Sequence, residues 1–221
     1  MIEPAMRAGA QPGSHTLRPE ALWISVCIVC RNEGDRLADC LASVSWADEI
    51  LVMDLSSSDD SADVARQYGA RVITHPVVPI VEVVRNEIAG HARGDWILAL
   101  DPDERVSSGL AEELNSLRDR EDIVAVEIPF MHVDFGHPPK NPLHRYDHKP
   151  RMYRRSSVTW PTEPNKLPVV PREQLHRVAG RDELVMVHLR NRTIPEAIER
   201  AFRYAPAEAQ ALIDAGHTFS A

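Results

Sequence analysis

Residues 95–104 read DWILALDPDE, an apolar run that stops abruptly in a cluster of acids. Five consecutive apolar side chains leave no polar face, as expected of a strand covered on both sides within a parallel sheet. Residues two apart on an extended chain point the same way, so Asp101 and Asp103 can address one ligand together. Alone, the acidic tetrapeptide is equally well read as the start of a loop, with Glu104 placed near a helix N-terminus.

Working outward, residues 22–30 (LWISVCIVC) form a second apolar run, closed by RNEGD. A helix is expected from about Asp35, with Leu37, Leu41 and Val44 on one stripe. Residues 49–55 (EILVMDL) read as a strand ending in a serine-rich acidic loop, followed by a short helix over roughly 60–68 and the strand ARVIT. Ile80, Val84 and Ile88 mark a helix over 80–92, and Leu110, Leu114 and Leu117 another beyond the acidic cluster. Strands alternating with helices imply an α/β fold, a mostly parallel sheet with helices on both faces. Ligands of such sheets bind at the carboxyl ends of the strands. Asn32-Glu33, Asp54 to Asp59 and Asp101 to Glu104 all lie at those ends.

The texture changes near residue 129. Nine of the 17 prolines fall between Pro129 and Pro171, so this stretch is expected to be mostly loop with short extended pieces. Residues 184–189 (LVMVHL) suggest one more strand, and Thr193 to Glu196 a capping box opening a last helix. The expected organisation is a loose tail over 1–20, an α/β half over 21–130 and a smaller, loop-rich half over 131–221.

Residues 1–130 carry 11 Lys/Arg and 23 Asp/Glu, whereas residues 131–221 carry 14 and 10. That balance argues against a nucleic-acid partner, which calls for a dominant basic surface. No apolar run approaches the ~20 residues that span a bilayer. With an N-terminus lacking a signal-peptide core, the expected location is the cytoplasm. Arg200 and Arg203 allow at most peripheral contact with the inner face of a membrane. The three cysteines form no disulfide pattern; Cys27 and Cys30, three apart on a strand, should face opposite ways.

ISVCIVCRNE, DEILVMDLSSSD and VVRNEIAGHARGDWILALDPDE, in this order and spacing over about residues 23–120, resemble glycosyltransferase family 2, and most closely its lipopolysaccharide-core sugar transferases. The resemblance implies a GT-A fold and an inverting transfer from a UDP- or GDP-linked sugar to a glycan or lipid-linked acceptor, with Mg²⁺ or Mn²⁺. It implies nucleotide-sugar contacts from Asn32, Glu33, Asp54, Ser57, Asp59, Arg85 and Asp101, and metal ligands Asp103 and His188. Read as spacing alone, the Asp54–Asp59 cluster serves equally as a helix cap.

Two departures from the family pattern stand out. Leu55-Ser56 replaces a Ser-Gly pair, and Thr162-Glu163 stands where His-Glu is usual. Glu163 is the candidate general base and Asp134 its rival. His132, Asp134, His137, His144, Asp147 and His148 crowd one Pro-rich stretch without metal-site spacing, and are expected nearer the acceptor. Two rival readings are a degenerate member that binds nucleotide-sugar or a partner without turnover, and a sugar nucleotidyltransferase. Against the second, RNEGD is a poor phosphate loop.

Overall fold

The apolar runs become the centre of one mixed sheet in a computed structural model that describes residues 23–164, 166–214 and 216. The expected tail over 1–20 lies outside the described residues. Strands β1 (Ile24–Cys30), β2 (Glu49–Asp54), β3 (Arg71–Thr74) and β4 (Trp96–Leu100) pair in parallel in the order β3-β2-β1-β4. Helices α1 (Gly34–Ser43), α2 (Ser61–Gln67) and α3 (Glu82–His91) make the crossovers. All seven residues of β1 are buried, as a strand covered on both faces requires.

Two apolar layers sandwich the sheet. On one face, Leu37 and Leu41 of α1 and Leu110 and Leu114 of α4 (Ser108–Leu117) pack against Val26, Ile28 and Leu98. On the other, Val84 and Ile88 of α3 pack with Val29, Ile97, Tyr153 and Trp160. Cys30 belongs to the first layer and Cys27 to the second, the opposition that strand alternation dictates.

The Pro-rich half differs from expectation. It contributes β6 (Ala125–Asp134), β7 (Asp147–Arg154), β8 (Leu175–Arg177) and β9 (Met186–Asn191), which with β5 (Glu104–Val106) continue the sheet as β4-β7-β6-β9-β5. β8 pairs β6 off this path. The prolines sit where a missing N–H is tolerated. Pro150 lies at the irregularity where the β6–β7 register shifts between Val126 and Glu127. Pro129 falls in the interval between the β8 pairing, which ends at Glu127, and the β9 pairing, which begins at Phe130.

The last helix, α5 (Ile194–Asp214), begins on half a capping box. Thr193 Oγ1 accepts from the Glu196 N–H at 3.4 Å, but the Glu196 carboxylate turns instead to the Arg192 N–H at 2.7 Å and to Arg36 at 2.8 Å. Arg200 and Arg203 lie within α5, with side chains outside the described residues.

Candidate active site

The carboxyl ends of β1 and β2 are knitted together before any ligand arrives. Asn32 takes φ 54°, a left-handed conformation that Asn tolerates better than most residues. Its N–H donates to Ser57 Oγ at 2.9 Å and its Oδ1 accepts from the Ser58 N–H at 2.8 Å. Asp59 accepts from the Gly34 N–H at 3.1 Å and the Ser61 N–H at 3.0 Å. Asp54 is buried at the end of β2 and accepts from the Ser57 N–H at 3.3 Å. Where Ser56 replaces the family's glycine, the serine itself adopts φ 52° and bonds the His75 carbonyl at 2.9 Å. The turn is kept, at a conformational cost of ~1 kcal/mol for a residue with a Cβ.

Asp101 sits at the centre of a tight array. Arg85, from α3, donates to Oδ1 at 2.9 Å, and Arg151, from β7, approaches Oδ2 at 3.4 Å. Burial alone would raise the Asp101 pKa, but the two guanidiniums override it and hold the carboxyl well below the usual range. Glu104 stands behind this array with no solvent exposure. It accepts from Arg151 at 2.7 Å and, through its other oxygen, from the Asp101 N–H at 2.9 Å. Burial raises the Glu104 pKa even though Arg151 works the other way. Its role in holding Asp101 and Arg151 was not anticipated from the sequence, although it directly follows Asp101-Pro-Asp103.

Asp103 is almost fully buried. Its Oδ2 lies 3.3 Å from His188 Nε2 and 3.8 Å from Arg36. β5 and β9 pair Glu104 with His188, which brings Asp103 and His188 to one place from 85 residues apart. His188 Nδ1 is in turn 3.0 Å from His132 Nδ1. Burial first, and His188 second, lower the His132 pKa.

These groups open on one cavity of about 760 Å³. Glu33, Arg85, Asp101, Asp103 and His188 line it, with Arg151 and Arg190, and Ala197, Ala201 and Ala205 of α5 form part of its wall. Asn32, Asp54, Ser57 and Asp59 stand outside that lining. Glu163 is exposed and also outside it, although its neighbours Trp160, Lys166 and Leu167 take part. Asp134 is likewise off the wall, held by Arg190 at 2.5 Å and Asn191 at 2.8 Å. Asn86, beside Arg85, exchanges two hydrogen bonds of 2.8 Å with the Trp160 backbone. It thereby pins the segment that carries Glu163.

Among the described residues no cluster of three or more His, Cys, Asp or Glu side chains could hold a metal unaided. Asp103 and His188 nevertheless fit a cation that completes its shell with phosphate oxygens. Donors ~2.1 Å from an octahedral metal lie ~3 Å apart at neighbouring positions, close to the observed separation.

A model of the family described as "Glycosyl transferase family 2" matches residues 25–169, the span that builds β1 to β7 and the Asp101–Arg151 array. The chain belongs to glycosyl transferase family 2. Within curated proteins, it is 32% identical over 134 residues to an uncharacterized glycosyltransferase of Rickettsia felis, covering 59% of this chain and 44% of the relative. It is 32% identical over 123 residues to a TPR repeat-containing protein of Synechococcus elongatus, covering 55% and 30%. The chain thus spans less than half the length of these relatives.

Solved structures share the family fold. A mannosyltransferase from Pyrobaculum calidifontis, in complex with GDP-Man and Mn²⁺, superposes with TM-score 0.58 at 14% identity, over 92% of this chain and 66% of that one. Glucosyl-3-phosphoglycerate synthase from Mycobacterium tuberculosis, with Mn²⁺, UDP and glucosyl-3-phosphoglycerate, gives 0.56 at 20% identity, over 90% and 82%. The sheet of this family 2 chain is therefore of GT-A type, mostly parallel, with helices on both faces.

Proposed function

We propose that this family 2 chain is an inverting, metal-dependent glycosyltransferase drawing on a UDP- or GDP-linked sugar. The observation that carries the reading is the convergence of Asp101, Asp103, Arg85, Arg151 and His188 on one cavity at the strand ends. In this reading residues 21–130 hold the donor and residues 131–221 shape the acceptor side. Asp54, Arg85 and Asp101 position the nucleotide, supported by Asn32, Glu33, Ser57 and Asp59. Asp103 and His188 hold Mg²⁺ or Mn²⁺, and a bound cation supplies charge neutralisation for the departing diphosphate.

The chain's own contribution is placement and proton transfer. The two arginines keep Asp101 ionised, so it can only accept hydrogen bonds from the donor. Glu163, on the exposed segment pinned by Asn86, takes the acceptor hydroxyl's proton as that oxygen attacks the anomeric carbon. Asp134 is the weaker base, because Arg190 and, beyond it, Asn191 lower its pKa. Family resemblance favours a cell-envelope glycan acceptor of the lipopolysaccharide-core kind. No described helix is long and apolar enough to cross a membrane. We place the reaction in the cytoplasm, with at most peripheral contact of the enzyme with the inner membrane face.

The test is thermal stability with UDP and with GDP, each with and without Mn²⁺. Ligand binding to the native state raises the melting temperature by mass action. A metal-dependent rise with one diphosphate, absent in Asp103→Ala, is expected. No rise with either diphosphate in folded protein overturns the reading.

A further inference from the structure

His132 and Asp147 take no part in the reaction outlined above, yet they extend the Asp103–His188 contact into a chain. His132 Nδ1 lies 3.0 Å from His188 Nδ1, and His132 Nε2 lies 3.5 Å from Asp147 Oδ2. The pairing is built into the sheet. β6 and β9 place His132 beside His188, and β6 and β7 place Asp147 beside Phe130, two residues before His132. Phe130 holds both rings, stacked with His132 at 6.0 Å and edge-on to His188 at 6.4 Å. The two histidine side chains are 18% and 16% exposed, too enclosed to exchange these contacts freely for water.

The protons along this chain are not independent. Two imidazole nitrogens at 3.0 Å make a hydrogen bond only if one carries a proton and the other a lone pair. Asp147, ionised and supported by Lys149 at 3.1 Å, accepts from His132 Nε2. A neutral His132 bearing its proton on Nε2 has a lone pair on Nδ1. His188 must then donate from its own Nδ1, which leaves a lone pair on Nε2. With His188 neutral, that lone pair faces Asp103 Oδ2 across 3.3 Å, two acceptors that a shared cation, a proton or a metal ion, satisfies. In the opposite polarity, a His132 lone pair would face the Asp147 carboxylate.

We propose that His132 and Asp147 are positioning residues that fix the tautomer of His188 and present its Nε2 lone pair to a divalent cation shared with Asp103. The proposal rests on the metal site assigned above. It adds two residues outside the cavity lining that act on the cation only through hydrogen-bond direction. Outer partners of this kind commonly change metal affinity by ~10- to 100-fold.

The first measurement is Mn²⁺ affinity by electron paramagnetic resonance, with saturating UDP or GDP, for the wild type, His132→Phe, His132→Asn, Asp147→Ala and His188→Ala. His132→Phe keeps a ring against Phe130 but offers no acceptor. It should bind Mn²⁺ at least ~10-fold more weakly, with the melting temperature in EDTA close to wild type. His132→Asn restores an oxygen near the Nδ1 position and should recover much of the affinity. Asp147→Ala should weaken binding in the same direction.

Wild-type affinity in His132→Phe, alongside its loss in His188→Ala, overturns the proposal and leaves the metal site standing. No Mn²⁺ binding by the wild type overturns both. Side-chain ¹H–¹⁵N spectra of metal-free protein supply a readout independent of the variants' folding. Protons on His132 Nε2 and His188 Nδ1 are expected, and a neutral His132 protonated on Nδ1 overturns the assignment.

Discussion

Arg151 donates to Glu104 at 2.7 Å, in a pair whose carboxylate is wholly shielded from water. Removing Arg151 leaves the Glu104 carboxylate buried without its guanidinium, which typically costs ~3–5 kcal/mol, whereas Arg151 without Glu104 keeps Asp101 at 3.4 Å. Arg151→Met should lose stability on that scale in urea unfolding, and Glu104→Ala less. The double variant should lose clearly less than the two losses added, because no orphaned charge remains. Additive losses would show that the two residues are not energetically coupled.

Asn86 ties α3 to the segment after β7 through both halves of its amide. Asn86→Ala should cost ~1–2 kcal/mol, the scale of two partly exposed hydrogen bonds. Its distinctive sign should be local loosening, seen as faster tryptic cleavage after Lys166 at temperatures far below unfolding. Cleavage at the wild-type rate would mean that other contacts hold the segment.

Glu49 staples the start of β2 to its neighbours, accepting from Ser25 Oγ at 2.6 Å, the Arg93 N–H at 2.8 Å and Arg71 at 3.1 Å. Burial opposes ionisation, but these donors outweigh it and lower the Glu49 pKa. A folded value below the unfolded one stabilises the protein above the unfolded pKa, and that gain fades as pH falls through the folded value. Glu49→Gln should therefore cost ~1–2 kcal/mol at pH 7 and much less near pH 3. Equal losses at both pH values, by chemical unfolding, would remove ionisation from the account.

All three cysteines are buried. Burial pushes the Cys27 and Cys30 thiols up to about 12, and Cys40 higher still. The thiolate is the reactive form, so native protein at pH 8 should resist aromatic disulfide reagents. Unfolding should release three equivalents. A fast-reacting equivalent in the native state would contradict the burial described.

The parallel half of the fold was legible because its signals are local. β1, β2 and β4 are apolar runs that cannot be solvated, and each stops where a polar cluster begins. The second half was not, and β7 shows why. DHKPRMYR carries Lys149 and Arg151 into the cavity and a proline at the bulge, so the features that suit it to the site remove the alternation that marks a strand. Within the site, Asp101 and Asp103 were readable from position. Contacts of Glu104 with Arg151, Asn86 with Trp160 and His132 with His188 join residues 47, 74 and 56 apart, and exist only once the whole chain is packed.

Ala197, Ala201 and Ala205 recur every four residues along the stretch of α5 that walls the cavity. A larger side chain at any of these positions would project into the same passage. On that side the width of the cavity is set by methyl groups and not by charged side chains. The girth of an admitted molecule can be retuned there one carbon at a time, while the array around Asp101 keeps its shape.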